Sequence, residues 1–235
     1  MEPDDLKVLA ADQWLGSIPE ARRLRLLAHG KVRAFADGAR IYRLDDPPNG
    51  LHAVLSGETR LVSYPVAGVE LVGKIIRPGQ WFGELSVLDG KGRPHDAVAI
   101  GSCRVLTVGM ASIAAATARD PELWRDIAVL SCIHQRAGLR DTGRIRTEPA
   151  VTRLAGFLAG AGAAAEGRDI RMTQDEIAQV IGISRQYLNR LVREIAQTGL
   201  IEIRYGRIHV PRPHSLRGFA PPPVHRDGRA PNPVI

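Results

Sequence analysis

Thr173–Val192 reads TQDEIAQVIGISRQYLNRLV, and this stretch decides how the chain is to be understood. Thr173-Gln174-Asp175-Glu176 has the order of a capping box, with Thr173 as N-cap and Glu176 three residues on. Ile177, Val180 and Ile181 then give a short helix one apolar face. Gly182 can adopt the left-handed conformation that ends it, and Ser184 can cap a second helix. On that second helix Leu188, Leu191, Val192 and Ile195 share the inward face. Arg185, Asn189 and Arg193 fall at i, i+4 and i+8, with Gln186 and Arg190 beside them. The outer face is therefore basic and amide-rich. Such side chains fork onto guanine and adenine edges in the major groove, which is wide enough to admit a helix.

The next segment, GLIEIRYGRIHV (Gly199 to Val210), predicts a β-hairpin, with Ile201, Ile203 and Tyr205 before Gly206 and Ile208 and Val210 after it. Arg204 and Arg207 would stand near its tip, where phosphates could be reached. Residues 171–217 hold eight Arg and no Lys against four acidic residues, so the positive charge is local. A solvated basic hairpin of helices is the alternative. The two caps, the tight turn, the polar face and the hairpin together favour a winged helix-turn-helix.

The whole chain is consistent with a polyanionic partner. It has 235 residues, 32 Lys and Arg against 25 Asp and Glu, a formal net charge of +7 and a pI near 10.0. No apolar run approaches the length of a membrane span, and the acidic start MEPDDLKVLAADQW does not resemble a signal peptide. Cys103 and Cys132 alone build neither a disulfide framework nor a zinc site. A cytoplasmic protein of bacterial type is expected.

From Gly38 to about Val108 short β-type runs alternate with glycine: Leu51–Leu55, Thr59–Tyr64, Val69–Ile76, Asp96–Ile100 and Arg104–Val108. Gly57 and Gly101 are read with the other glycines as turns between or beside these runs. Many short strands suggest a sandwich or jelly roll rather than a parallel sheet, and the fold class is α+β. After Pro121 the pattern becomes helical. Leu123, Ile127, Leu130, His134 and Ala137 recur at alternating steps of four and three, an a/d-like seam expected to dimerise the chain. A helix packed on its own core is the other reading of that stripe. Pro149 marks a boundary. The expected domains are a β-roll over 14–120, a long dimerisation helix and hinge over 121–148, a winged helix-turn-helix over 149–212 and a disordered Pro/Gly/Arg-rich tail over 213–235.

At this point the chain resembles the Crp/Fnr superfamily of bacterial transcription regulators, from about Trp14 to Val210. WLGSIP (Trp14 to Pro19) is similar to the family's N-terminal entry. LHAVLSGETRLV (Leu51 to Val62) and IRPGQWFGELSVLDG (Ile76 to Gly90) are similar to its β-roll, a double-stranded β-helix or jelly roll. DEIAQVIGISRQYLNRLVREIAQTGLI (Asp175 to Ile201) is similar to its helix-turn-helix. The resemblance implies a homodimer on double-stranded DNA with a near-palindromic operator, no enzymatic activity, and RNA polymerase as a candidate further partner. It places Arg185, Gln186 and Arg190 at base-contacting positions; Asn189, Arg193, Thr173, Ser184, Arg204 and Arg207 are expected as further DNA contacts from the residues of the two helices and the hairpin themselves. The cyclic-AMP-responsive branch commonly has Glu where Gln186 stands, so a different operator base is expected there.

The same resemblance puts an effector pocket at Gly83, Glu84, Leu85, Arg93, His95 and Asp96. In cyclic-nucleotide binders of the family a Gly-Glu-Leu segment offers a carboxylate to the ribose. An Arg-Ser/Thr-Ala segment then offers a guanidinium and a hydroxyl to the phosphate. Here Gly83-Glu84-Leu85 is intact, but the second segment is His95-Asp96-Ala97. Imidazole replaces a bidentate guanidinium, and the Asp96 carboxylate would repel an anion. Arg93 is the remaining cation that could reach in, past Pro94. The hydroxyl pair offered to adenine on the long helix is replaced by Gly138-Leu139. Cyclic AMP is therefore disfavoured, no cofactor is expected, and Glu84 tilts toward a role in the fold.

Other sensors fit less well. An iron–sulfur cluster needs four cysteines. His52, His95 or His134 could be a haem ligand and Cys103 or Cys132 a thiol switch, although structural roles are commoner for both residue types. A cupin-like metal protein or enzyme would need a His/His/Glu cluster, and the seven histidines are scattered without an H-x-H pair in the β region. A nucleotide-binding module acting through another protein would not need the helix-turn-helix.

Overall fold

Gly57 and Gly101 bend strands instead of ending them. In the computed structural model, which describes residues 3–66, 69–164, 169–170, 172–204, 207–216 and 219, the runs 51–55 and 59–64 are one strand, β3 (Leu51–Val66). The runs 96–100 and 104–108 are likewise one strand, β6 (Asp96–Val108). Gly57 has φ +74°, and a Cβ there would stand 2.3 Å from the Ser102 carbonyl oxygen. The β3–β6 register shifts on either side of Ser56, as expected at a bulge. Gly101 has φ +66° and donates its N–H to Asp37 Oδ1 at 2.7 Å. The expectation of separate strands at these glycines is corrected: the positive φ is used to coil a long ribbon, which wraps the sheet into a roll.

Around these strands lie α1 (Pro3–Ala10), α2 (Gln13–Ser17), α3 (Glu20–Leu27), β1 (Lys31–Phe35), β2 (Arg40–Tyr42), β4 (Val69–Ile76), β5 (Trp81–Phe82), α4 (Glu84–Asp89) and α5 (Met110–Arg119). The antiparallel sheet runs β1-β6-β3-β4, with β2 also on β6 and β5 on β3. Trp14 and Trp81 meet edge to face, with centroids 5.2 Å apart, at one end of the core. The roll begins before Trp14: Leu9 of α1 is fully buried and Asp5 pairs with Arg104 of β6 at 2.9 Å.

The long helix is α6 (Glu122–Thr147), and the expected dimer seam is corrected. Leu123, Ile127 and Leu130 are at most 2% exposed and belong to the apolar cluster of Trp14, Trp81, Leu106 and Ile113. His134 turns onto Glu84. The stripe at steps of three and four thus faces the roll of its own chain, because periodicity reports that a face is buried and not what buries it. The Trp14 indole donates to the Asp126 carbonyl at 2.6 Å and ties α6 down. The solvent side of α6 carries other apolar groups: Trp124, Val129, Ile133 and Leu139, the last 65% exposed.

Glu148 takes an extended conformation before Pro149, and α7 (Ala150–Ala164) opens the second unit. It continues through β7 (Asp169–Ile170), α8 (Gln174–Ile181), α9 (Arg185–Gln197), β8 (Glu202–Arg204) and β9 (Arg207–His209), with sheet order β7-β9-β8. Pro213–Leu216 forms a 3₁₀ turn packed on α7, with Leu216 1% exposed. The unit therefore extends past residue 212, correcting the expected start of a disordered tail. Leu216 supplies an apolar anchor that a composition dominated by Pro, Gly and Arg conceals. The rest of that tail, apart from Phe219, and the hairpin tip Tyr205-Gly206 lie outside the described residues.

Candidate nucleic-acid interface and effector pocket

The caps form as their residue types require. Thr173 Oγ1 accepts the Glu176 N–H at 3.2 Å, and the Glu176 carboxylate accepts the Thr173 N–H at 2.8 Å. Gly182 ends α8 at φ 72°, ψ 49°, and Ser184 Oγ accepts the Tyr187 N–H at 3.2 Å to start α9. Leu188, Leu191, Val192 and Ile195 are buried against α7 and α8, which leaves Arg185, Gln186, Arg190 and Arg193 exposed on one side of α9; Asn189 is half-buried. Arg185 is held by Asp175 of α8 at 3.1 Å. Arg190 lies over the Tyr187 ring, 4.7 Å from its centroid, with Glu194 at 3.8 Å. The face presents guanidinium and amide groups on a rigid two-helix frame, the equipment for reading base edges.

The hairpin arginines are organised by one carboxylate. Asp169 of β7 accepts from His209 Nδ1 at 2.7 Å and has Arg204 at 3.4 Å and Arg207 at 3.9 Å. The hydrogen bond from His209 and these cations hold the Asp169 carboxyl below its ordinary range. Glu202 adds a second contact to Arg204 at 2.8 Å. Both arginines remain about half exposed beside the hairpin tip, as a phosphate contact requires.

The second site is a cavity of about 660 Å³ between the roll, α6 and the helix-turn-helix unit. Gly83, Glu84, Leu85 and His95 line it; Arg93 and Asp96 do not. Glu84 is 5% exposed and accepts from His134 Nδ1 at 2.8 Å. Burial pushes its carboxyl up, but the hydrogen bond and charge of His134, with help from Lys74, outweigh that and leave it below the usual range. Burial lowers the ammonium of Lys74 and the imidazole of His95.

Two expected pocket residues serve the fold instead. Arg93 is fully buried beneath the cavity: Nη1 donates to the Gly83 carbonyl and Nη2 to the Gly50 carbonyl, each at 2.7 Å, and Nη2 also to Asn49 Oδ1. Its guanidinium lies 4.4 Å from the Tyr42 ring centroid. Gly83, at φ +89°, is required by this packing, since a Cβ there would approach Arg93 Nη1 to 2.7 Å. Asp96 accepts from the Leu44 N–H at 2.7 Å and from Arg40 Nε and the Tyr64 hydroxyl, each at 2.9 Å. These three partners hold the Asp96 side chain outside the cavity lining, whereas His95, just before β6, lines it. Lys74 of β4 is a further cavity cation, absent from the sequence expectations; the alternation of its strand is the only signal for it along the chain. Among the described residues no group of three or more His, Cys, Asp or Glu could hold a metal ion, and no helix is long and apolar enough to cross a membrane.

Known proteins resemble both units of the chain. Residues 32–120 match the cyclic nucleotide-binding domain model and residues 152–219 the Crp-like helix-turn-helix domain model. The cyclic AMP receptor protein of Thermus thermophilus is 27% identical over 195 residues, covering 83% of this chain and 90% of the relative. The transcriptional regulator SdrP of the same organism is 29% identical over 174 residues, covering 70% and 80%. Among solved structures, a CRP/FNR-family transcriptional regulator from Thermus thermophilus is 25% identical, with TM-score 0.62 over 80% of this chain and 96% of that one. FixK2 from Bradyrhizobium japonicum shares the fold at 20% identity, with TM-score 0.67 over 80% and 95%. A roll carrying a Gly-Glu-Leu turn, a long helix laid across it and a winged helix-turn-helix with an open basic face place this chain in the Crp/Fnr superfamily of transcription regulators.

Proposed function

We propose that the chain works as a homodimeric, sequence-specific regulator that reads a near-palindromic operator through α9 and does not use cyclic AMP as its effector. The observation that carries the DNA reading is the exposed face of Arg185, Gln186, Arg190 and Arg193 on capped, core-anchored helices. The dimer reading rests on the solvent side of α6, where Val129 and Ile133 form an exposed apolar stripe one turn long, with Leu139 exposed further along the helix. A second copy across a two-fold axis would cover that stripe and set half-sites about 34 Å apart. RNA polymerase is a candidate further partner.

The effector reading rests on occupancy within the cavity. Glu84, the ribose-type carboxylate, is engaged by His134, and His95 supplies an imidazole where a bidentate guanidinium would be wanted. Arg93 is committed to backbone carbonyls. Selection of genomic DNA fragments by the purified protein, with light scattering at micromolar concentration, tests the regulator. Two-fold symmetric sites bound by a dimer are expected; a monomer on an asymmetric single site refutes the proposal.

A further inference from the structure

The roll and the helix-turn-helix unit are joined by direct contacts as well as by the α6–α7 connection. Gln179 of α8 accepts, through Oε1, the backbone N–H of Val72 at 2.9 Å. Val72 sits on β4, the last strand of the sheet order, so this amide points out from an edge with no strand beyond it among the described residues. Arg60 of β3 pairs through Nη1 with Glu176 Oε1, on the same carboxylate that closes the α8 capping box through Oε2. Arg77, held by Glu58 at 3.1 Å, lies 5.8 Å from the centroid of the Phe157 ring on α7. Val62, Val72 and Ile75 of the roll belong to one apolar cluster with Ile177, Ile181 and Leu188.

These contacts grip α8, and α8 carries α9. The two helices share Ile177, Ile181, Leu188 and Leu191 in their common core, so α9 turns only if α8 turns. We propose that Arg60 and Gln179 are positioning residues for DNA recognition: by seating α8 on the β3–β4 edge they set the angle of α9 to α6, and with it the half-site spacing the dimer accepts. This rests on the reading of the chain as a dimeric DNA-binding regulator. Adding one base pair between half-sites rotates one of them by about 34° about the DNA axis. With these contacts of α8 to the roll intact, the protein or the DNA must distort to follow. With them loosened, each helix-turn-helix unit can swivel about the Glu148-Pro149 joint.

The test uses the full-length protein, its selected operator, versions with one base pair inserted or deleted between half-sites, and an isolated half-site. Wild type should lose roughly tenfold or more in affinity on the respaced operators. In Arg60→Ala and in Gln179→Ala that penalty should fall to about threefold or less. Half-site affinity and melting temperature should stay close to wild type. Arg60→Lys, which keeps a cation for Glu176, should keep most of the penalty. A full penalty in both alanine variants overturns the inference, as does a parallel loss on the isolated half-site, which would mean damage to α8 and α9 themselves. A wild-type protein that is monomeric and indifferent to spacing overturns the dimeric reading as well, and light scattering separates that outcome from the others.

Discussion

Replacing Arg93 with Met should unfold the roll more readily without weakening anion binding. The guanidinium is fully buried and satisfies the carbonyls of Gly83 and Gly50 and the amide oxygen of Asn49. Met fills much of the same volume but offers none of these donors. Each buried acceptor left unpaired costs about 1–3 kcal/mol. Removing a buried cation whose three acceptors here are all neutral returns part of that, since its desolvation is no longer required. Loss of the stacking on Tyr42, at 4.4 Å, adds about 1 kcal/mol. The balance is a destabilisation of about 3–5 kcal/mol, a large share of an ordinary domain's stability. Urea unfolding followed by circular dichroism and tryptophan fluorescence should show the roll's midpoint falling by about 2 M, for a slope of about 2 kcal/mol per molar. A variant that melts like wild type but loses affinity for a phosphate-bearing ligand would refute the reasoning and return Arg93 to the pocket.

On the operator, Arg185→Ala and Arg190→Ala should each cost roughly 1–3 kcal/mol, whereas Arg207→Ala should weaken operator and random DNA alike and flatten the salt dependence; equal losses on both DNAs for all three variants would argue against base reading. Calorimetry with cyclic AMP and cyclic GMP should show nothing tighter than about 100 µM, since a missing charge-assisted phosphate contact costs two or more decades; a low-micromolar isotherm abolished by Glu84→Ala would overturn the effector reading. Ile133→Arg should give monomers by light scattering with little change in melting, while Leu123→Ala should leave dimers but cost about 2–5 kcal/mol of stability; the reverse pattern would restore the seam first read from the sequence. His52 is buried between Asn49 and Thr107, and burial, with the nearby Arg93 cation, lowers its pKa to about 3. The unfolded chain binds this proton near pH 6.5 and the folded chain does not, so stability should be lost as pH falls below about 6.5, by about 3 kcal/mol at pH 4. His52→Gln should flatten that acid limb, and an unchanged pH dependence would contradict the assignment.

Much of the helix-turn-helix was legible because its determinants are local. The Thr173–Glu176 box, the left-handed Gly182 and the Ser184 cap each act within four residues, and the structure reproduces all three. The inward Leu188, Leu191, Val192 and Ile195 follow from the helical repeat alone. The roll was legible in kind but not in connectivity. A glycine with positive φ reads alike whether it turns the chain back or bends a strand onward, and Gly57 and Gly101 do the second.

By itself the sequence determined the succession from a β-rich unit through a long helix to a winged helix-turn-helix, the basic outer face of α9 and the chain's family, since capping, periodicity and motif spacing are properties of neighbouring residues. Tertiary structure alone decided which buried group answers which. The stripe Leu123, Ile127, Leu130 faces the roll because an uncovered apolar face lay within reach in the same chain. Arg93 went to the Gly83 and Gly50 carbonyls and His134 to Glu84, pairings made across 10, 43 and 50 residues of sequence. The cost of leaving a buried polar group unpaired depends on what surrounds it in space, and that is not written along the chain.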